Sequence, residues 1–293
     1  NIYSMKKYVD KKRIIFTTII VILIIITLGF IIYYSVDTTI RLKNAKRFEQ
    51  KLIEYESSQE ELQKQEKERQ AKIPKLTDEG KQNIKGIYKS ETKRVFLTFD
   101  DGPSVNTADV LDILKSNDIK ATFFVLGTQV EKMPEMVKRA YQEGHYIANH
   151  GYSHQYSQIY SSPETVLQEF NQCNSAVAKA IDVPEYNSHL FRFPGGSVGG
   201  KYANLKAEAV TLLEQNNIMH VDWNALTGDA EKSSPDEEYL MNNLQKTTQN
   251  KNSIVILMHD AQAKRVTVDF LPKLIEFFQQ QGYQFENFYS IIK

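Results

Sequence analysis

Two short segments of this 293-residue sequence carry residue types that can do chemistry together. The first is Thr98-Phe99-Asp100-Asp101-Gly102-Pro103, in which two adjacent acids leave an apolar run and meet a Gly-Pro turn. Neighbouring carboxylates at a strand end diverge, so one can bind a metal ion while the other takes a proton. The second is His150-Gly151-Tyr152-Ser153-His154, whose imidazoles, four residues apart, can meet one ion from a single turn. With Asp101 they form a two-His, one-carboxylate set that leaves coordination positions open. A divalent metal is predicted there, with Zn²⁺ the first choice; the same donors suit Co²⁺, Ni²⁺, Mn²⁺ or Fe²⁺. The plain alternative for Asp100 and Asp101 is a pair of helix N-cap acids. A cap would need no partner histidines at a distance.

Side chains this far apart meet only if the fold brings them to one rim. After Tyr88 the sequence alternates short β-rich apolar runs (95–99, 122–126, 146–149, 190–193, 218–222, 254–258 and 283–285) with helix-like segments (107–118, 130–143, 163–182, 203–216, 235–250 and 264–281). That alternation predicts an α/β fold with a parallel sheet, and six or seven such units suit a distorted (β/α) barrel better than a sandwich. Function then belongs at the strand C-terminal ends. Asp100 and Asp101 follow the first run, His150 the third and His259 the sixth, while Asp222 ends the fifth.

These residues resemble the polysaccharide deacetylases, the NodB-like domain of carbohydrate esterase family four, over about residues 88–293. Thr98–Pro103 matches that family's first motif letter for letter, and His150 with His154 looks like the second. Arg192-Phe193-Pro194-Gly195-Gly196, Asp222-Trp223 and Leu257-Met258-His259 are similar to the third, fourth and fifth, in order. The resemblance implies that Asp101, His150 and His154 hold the metal. Asp100 would act as general base, oriented by Arg192, and His259 as general acid with Asp222 hydrogen-bonded behind it. Trp223 and Leu257 would line a slot for the acetyl methyl, and the Gly195 N–H would be an oxyanion donor. The sequence departs from the family pattern at Gly151, where a Ser or Thr usually braces the ligand loop. It departs again at Gly195, where an aromatic commonly walls the groove, and at Met219, where an acid often stands. His145, His189 and His220 have no partners at ligand spacing, and Gly228-Asp229 reads as a turn.

The zero net charge conceals an asymmetry. Residues 1–87 hold 17 Lys+Arg against 11 Asp+Glu, and residues 88–293 hold 19 against 25. An acidic globular part is a poor nucleic-acid binder, because sequence-independent affinity comes from cations neutralising phosphates. The single cysteine, Cys173, rules out an intramolecular disulfide and reads as a buried thiol. Residues 14–34 contain no charge and are long enough to cross a bilayer. Lys6, Lys7, Lys11, Lys12 and Arg13 precede them and favour a cytoplasmic N-terminus, leaving the rest of the chain extracellular; Met5 is a candidate start. Thus 1–13 reads as a basic segment, 14–34 as a transmembrane anchor, 35–72 as a helical stalk capable of a weak dimer, 73–87 as a linker and 88–293 as the catalytic domain. Anchor and stalk favour the cell wall as target, and with them the family resemblance implies peptidoglycan N-acetylglucosamine first, then N-acetylmuramic acid, poly-N-acetylglucosamine or chitin oligomers, and O-acetyl xylan. The reading from another class is a catalytically silent, membrane-tethered glycan-binding protein.

Overall fold

The uncharged run at 14–34 lies inside one unbroken helix, α1 (Ile2–Ala71). The computed structural model describes residues 2–292, without the side chains of 2–4, 6–8 and 10, so Lys6 and Lys7 lie outside the described side chains. The chain divides after Glu68 into two units. In the first, α1 is long and apolar enough to cross a membrane, and Phe16, Leu23 and Ile25 are exposed along it. Phe48, Leu52, Tyr55 and Leu62 of the predicted stalk are exposed as well.

The second unit contains eight strands: β1 (Arg94–Asp100), β2 (Thr122–Val125), β3 (Tyr146–Asn149), β4 (Leu190–Phe191), β5 (Met219–His220), β6 (Ala225–Leu226), β7 (Ser253–His259) and β8 (Gln284–Glu286). Around them lie α2 (Asp78–Lys85), α3 (Thr107–Ser116), α4 (Gly127–Lys132), α5 (Pro134–Gln142), α6 (Tyr156–Ile159), α7 (Pro163–Ile181), α8 (Ala203–Gln215), α9 (Glu237–Thr248) and α10 (Arg265–Gln280). Every strand pair is parallel, in the order β5-β4-β3-β2-β1-β7-β6, and β8 pairs the start of β1. The predicted barrel is therefore a curled half-barrel with β5 and β6 as its ends. The predicted strand 218–222 shortens to β5, and β6 is an additional strand. The predicted helix 130–143 divides at Pro134, which cannot donate within a continuing helix.

Side chains alternate across the sheet with period two. Leu97, Phe99, Phe123, Val125, Ile147, Ile256 and Met258 pack outward in one core cluster that includes residues of the helices. Phe96, Phe124, Tyr146, Ala148 and Val255 face inward in a second cluster. The inner cluster is completed by Ile84 and Ile87, and by Phe288, Ile291 and Ile292 from the chain end. Segment 73–87 is accordingly not a linker. Thr77 Oγ1 accepts from Gly80 N at 3.1 Å to cap α2, and Ile84 and Ile87 plug the sheet's hollow. Gly80, which reads as a breaker, stands where a Cβ would come 3.1 Å from the Ile291 carbonyl oxygen. Each plug side chain, fully buried, contributes about 1.5–3 kcal/mol.

The next inward positions above Phe96 and Val255 are Thr98 and Asp100 on β1 and Leu257 and His259 on β7. The register sets Thr98 beside Leu257 and Asp100 beside His259. Pairing thus delivers an acid and an imidazole to the same point of the rim.

Candidate active site

At the C-terminal edge of β1, β3 and β7 the backbone turns sharply, and the two-residue period ends in polar groups. Asp101 has φ +73° and His154 φ +57°, both left-handed and unusual for side-chain-bearing residues. No helix starts at Asp100 or Asp101, since α3 begins only at Thr107, so the capping alternative does not apply. Asp101 Oδ1 lies 3.5 Å from His150 Nε2 and 3.3 Å from His154 Nε2. It is buried and has no hydrogen-bond partner among the described residues. The His150 ring makes a 2.8 Å hydrogen bond through Nδ1 with the Arg192 carbonyl oxygen. That bond fixes the proton on Nδ1 and leaves the Nε2 lone pair to face Asp101. An orphaned carboxylate oxygen facing two imidazole Nε2 atoms is a donor set that fits a divalent cation, so these three residues could hold one.

Asp100, 2% exposed, is held from the opposite side. Arg192, fully buried, donates from Nη1 to Asp100 Oδ1 at 2.9 Å and to Thr98 Oγ1 at 2.7 Å. It also donates from Nε to the Val221 carbonyl at 3.2 Å and from Nη2 to the Asp222 carbonyl at 2.9 Å. The other Asp100 oxygen, Oδ2, is 3.8 Å from His150 Nε2. Burial pushes the Asp100 pKa above the ordinary carboxylate value, against the opposing pull of Arg192 and His259.

His259 is paired, but not with the expected acid. Its Nδ1 donates to Asp229 Oδ1 at 3.0 Å, and its backbone N donates to Asp229 Oδ2 at 2.8 Å. Thr267 Oγ1 donates to the same Oδ2 at 2.7 Å. Asp222 instead accepts from Ser197 N at 2.9 Å and Ser197 Oγ at 2.6 Å, so it secures the Gly-rich loop and leaves His259 alone. Burial pulls the His259 pKa down, yet Asp229, aided by Asp100 and Asp101, raises it to about 9. His145, His189 and His220 take no part in the cluster; His145, fully buried, accepts from Ala121 N through Nδ1 at 3.0 Å.

Asp100, Asp101, His150, His154, Asp229 and His259 line one cavity of about 360 Å³, with Gly195, Trp223 and Leu257 on its walls. The Gly195 N–H has no partner among the described residues. The family model for polysaccharide deacetylase matches residues 88–212. A Bacillus cereus peptidoglycan-N-acetylglucosamine deacetylase is 33% identical over 205 residues, covering 68% of this chain and 71% of that protein. The chain belongs to the polysaccharide deacetylase family. YheN of Bacillus subtilis, assigned by name to these deacetylases, is 36% identical over 198 residues, 66% of each chain. Among solved structures, a Streptococcus mutans CE4 esterase superposes with a TM-score of 0.64 at 30% identity, covering 71% of this chain and 90% of that one. The catalytic domain of a Eubacterium rectale peptidoglycan N-acetylglucosamine deacetylase gives 0.62 at 31%, covering 68% and 90%. These deacetylases are hydrolases of the NodB type, metal-dependent in general.

Two of the departures from the family pattern are made good locally. At Gly151 the missing hydroxyl is replaced by Glu169 of α7, a buried carboxylate. It accepts from Tyr152 N at 2.6 Å, Ser153 N at 2.7 Å and Ser153 Oγ at 2.6 Å. The side chain absent at Gly195 leaves a space that Tyr156 enters. Met219 is simply buried in the inner core cluster.

Proposed function

We propose that this protein removes acetyl groups from N-acetylated cell-wall glycan, with peptidoglycan N-acetylglucosamine as its principal substrate, and releases acetate. The observation that carries this reading is the confluence, in one cavity, of a three-donor cluster, a carboxylate clamped by a buried arginine and an imidazole backed by a buried acid. Asp101, His150 and His154 would hold a divalent cation, zinc in the first instance, which would supply Lewis-acid polarisation of the amide carbonyl and a lowered pKa for the attacking water.

The chain's own groups do the rest. Asp100, with its raised pKa, accepts the proton of the water, and Arg192 keeps that carboxylate aimed into the cavity. The unpartnered Gly195 N–H donates to the carbonyl oxygen as it gains charge. His259, protonated at neutral pH through Asp229, delivers a proton to the departing nitrogen. Trp223 and Leu257 form the apolar slot for the acetyl methyl. The curated relatives named for peptidoglycan N-acetylglucosamine support the choice of polymer. So does a helix long and apolar enough to cross a membrane; in this reading residues 1–13 are cytoplasmic and the deacetylase unit lies outside.

The test is acetate release by the full-length chain in detergent, loaded with Zn²⁺ or Co²⁺, from N-acetylglucosamine oligomers, purified wall, poly-N-acetylglucosamine and acetylated xylan, with mass spectrometry of the products. Release from wall above an Asp100→Asn control is expected. A silent glycan-binding tether would retain the polymer and release nothing above that control.

A further inference from the structure

Gly195 and Gly196 form a bare stretch of backbone at the cavity, and two aromatic rings crowd it. A Cβ on Gly195 would lie 2.7 Å from Tyr156 Oη, and a Cβ on Gly196 would lie 3.4 Å from Trp223 Cη2. Gly195 has φ +75°, so the backbone itself disfavours a side chain there. Tyr156 opens α6, two residues past His154. Its ring meets His154 edge-on at 5.6 Å between centroids and Tyr160 edge-on at 5.6 Å. Tyr160 is buried and donates to the Pro194 carbonyl at 2.7 Å. Lys206 Nζ sits 4.8 Å over the Tyr160 ring and donates to the Gly196 carbonyl at 2.7 Å. The platform under Tyr156 is thus the same one that fixes the glycine backbone.

Tyr156 nevertheless remains 42% exposed and lines the cavity, and its Oη has no hydrogen-bond partner among the described residues. A held ring with a free hydroxyl presents an apolar surface and a polar tip, which matches a pyranose with its CH face and its rim of hydroxyls. We infer that Tyr156 is a specificity-determining residue whose ring walls the groove against the sugar and whose hydroxyl bonds a sugar oxygen. The inference deepens the proposed glycan deacetylation and rests on it.

The test is calorimetric binding of an N-acetylglucosamine tetrasaccharide to the zinc-loaded full-length chain in detergent, in an Asp100→Asn background that prevents turnover. Tyr156→Ala should weaken binding about 30-fold through loss of the ring. Tyr156→Phe should weaken it about three- to tenfold through loss of one hydrogen bond. In otherwise wild-type enzyme the same changes should appear in KM more than in kcat. Bound zinc is quantified for each variant because His154 is adjacent; if Tyr156→Ala loses zinc, Tyr156→Phe decides. Affinities of both variants within twofold of the parent overturn the inference, as does a parent that binds no tetrasaccharide. A wild-type chain that binds but releases no acetate refutes the deacetylation reading alone, since the binding comparison still decides the role of Tyr156.

Discussion

His259 and Asp229 set the alkaline behaviour expected of this site. An imidazole that must give up a proton works only while protonated, so kcat/KM should hold through neutral pH and fall as the pH rises towards about 9. A cation bound at Asp101 offsets part of the negative charge that raises this pKa, so the limb should sit at or somewhat below that value. Asp229→Asn removes the dominant stabilising charge and should move the limb down by about 1–3 units in a pH–rate profile. Asp222→Ala, which loses contacts to Ser197 and none to His259, should leave the limb in place. Asp229 was hidden in the sequence for a definite reason. The rule that polar residues at strand ends do the chemistry needs the strand to be seen, and β6 is only two residues long, so Gly228-Asp229 passes as a turn. Tyr156 carries no sequence signal; only the space above Gly195 makes it conspicuous. Asp100, Asp101, His150 and His154 stand out by residue type and local spacing, whereas Arg192 and His259 are picked out through the family resemblance; five of the six line one cavity, and Arg192 hydrogen-bonds Asp100.

Among the elements, α7 and the chain-end plug support the site from behind. Glu169 reaches from α7 to bind two backbone N–H groups and a hydroxyl in the loop between the two histidines. Glu169→Gln puts an amide where a carboxylate accepted from all three, and should lower metal affinity about 10–100-fold, read by competition with a chelator. Phe288 packs against the rings of Phe96, Phe124 and Tyr146 inside the curled sheet, with centroids 5.3, 6.3 and 6.1 Å away. Phe288→Ala should destabilise the domain by about 3–5 kcal/mol in urea unfolding followed by near-ultraviolet dichroism. The long apolar strands β1 and β7 could be read directly, because each carries a five-residue β-rich apolar run, 95–99 and 254–258, that is buried apart from a half-buried Leu257. The plug could not, because Pro74, Gly80 and Gly86 resemble linker residues until the close approach of Ile291 to Gly80 is seen.

For the molecule as a whole, the uncharged run within α1 predicts partition. Deleting residues 1–34 should shift the protein from the membrane to the soluble fraction on cell fractionation, with the deacetylase unit still folded by dichroism. The open sheet has a further consequence, because it leaves β5 and β6 without a ladder between them. The guanidinium of Arg192, just past β4, braces the β5 side of that opening against β1, donating to the Val221 and Asp222 carbonyls beyond β5 and to Thr98 and Asp100 of β1. One planar group is both brace and sight: the hold of β5 on β1 and the aim of the base share a single part. Lysine, which lacks the fork, would loosen both at once, so drift at this position is penalised twice over and stability cannot be traded there for activity.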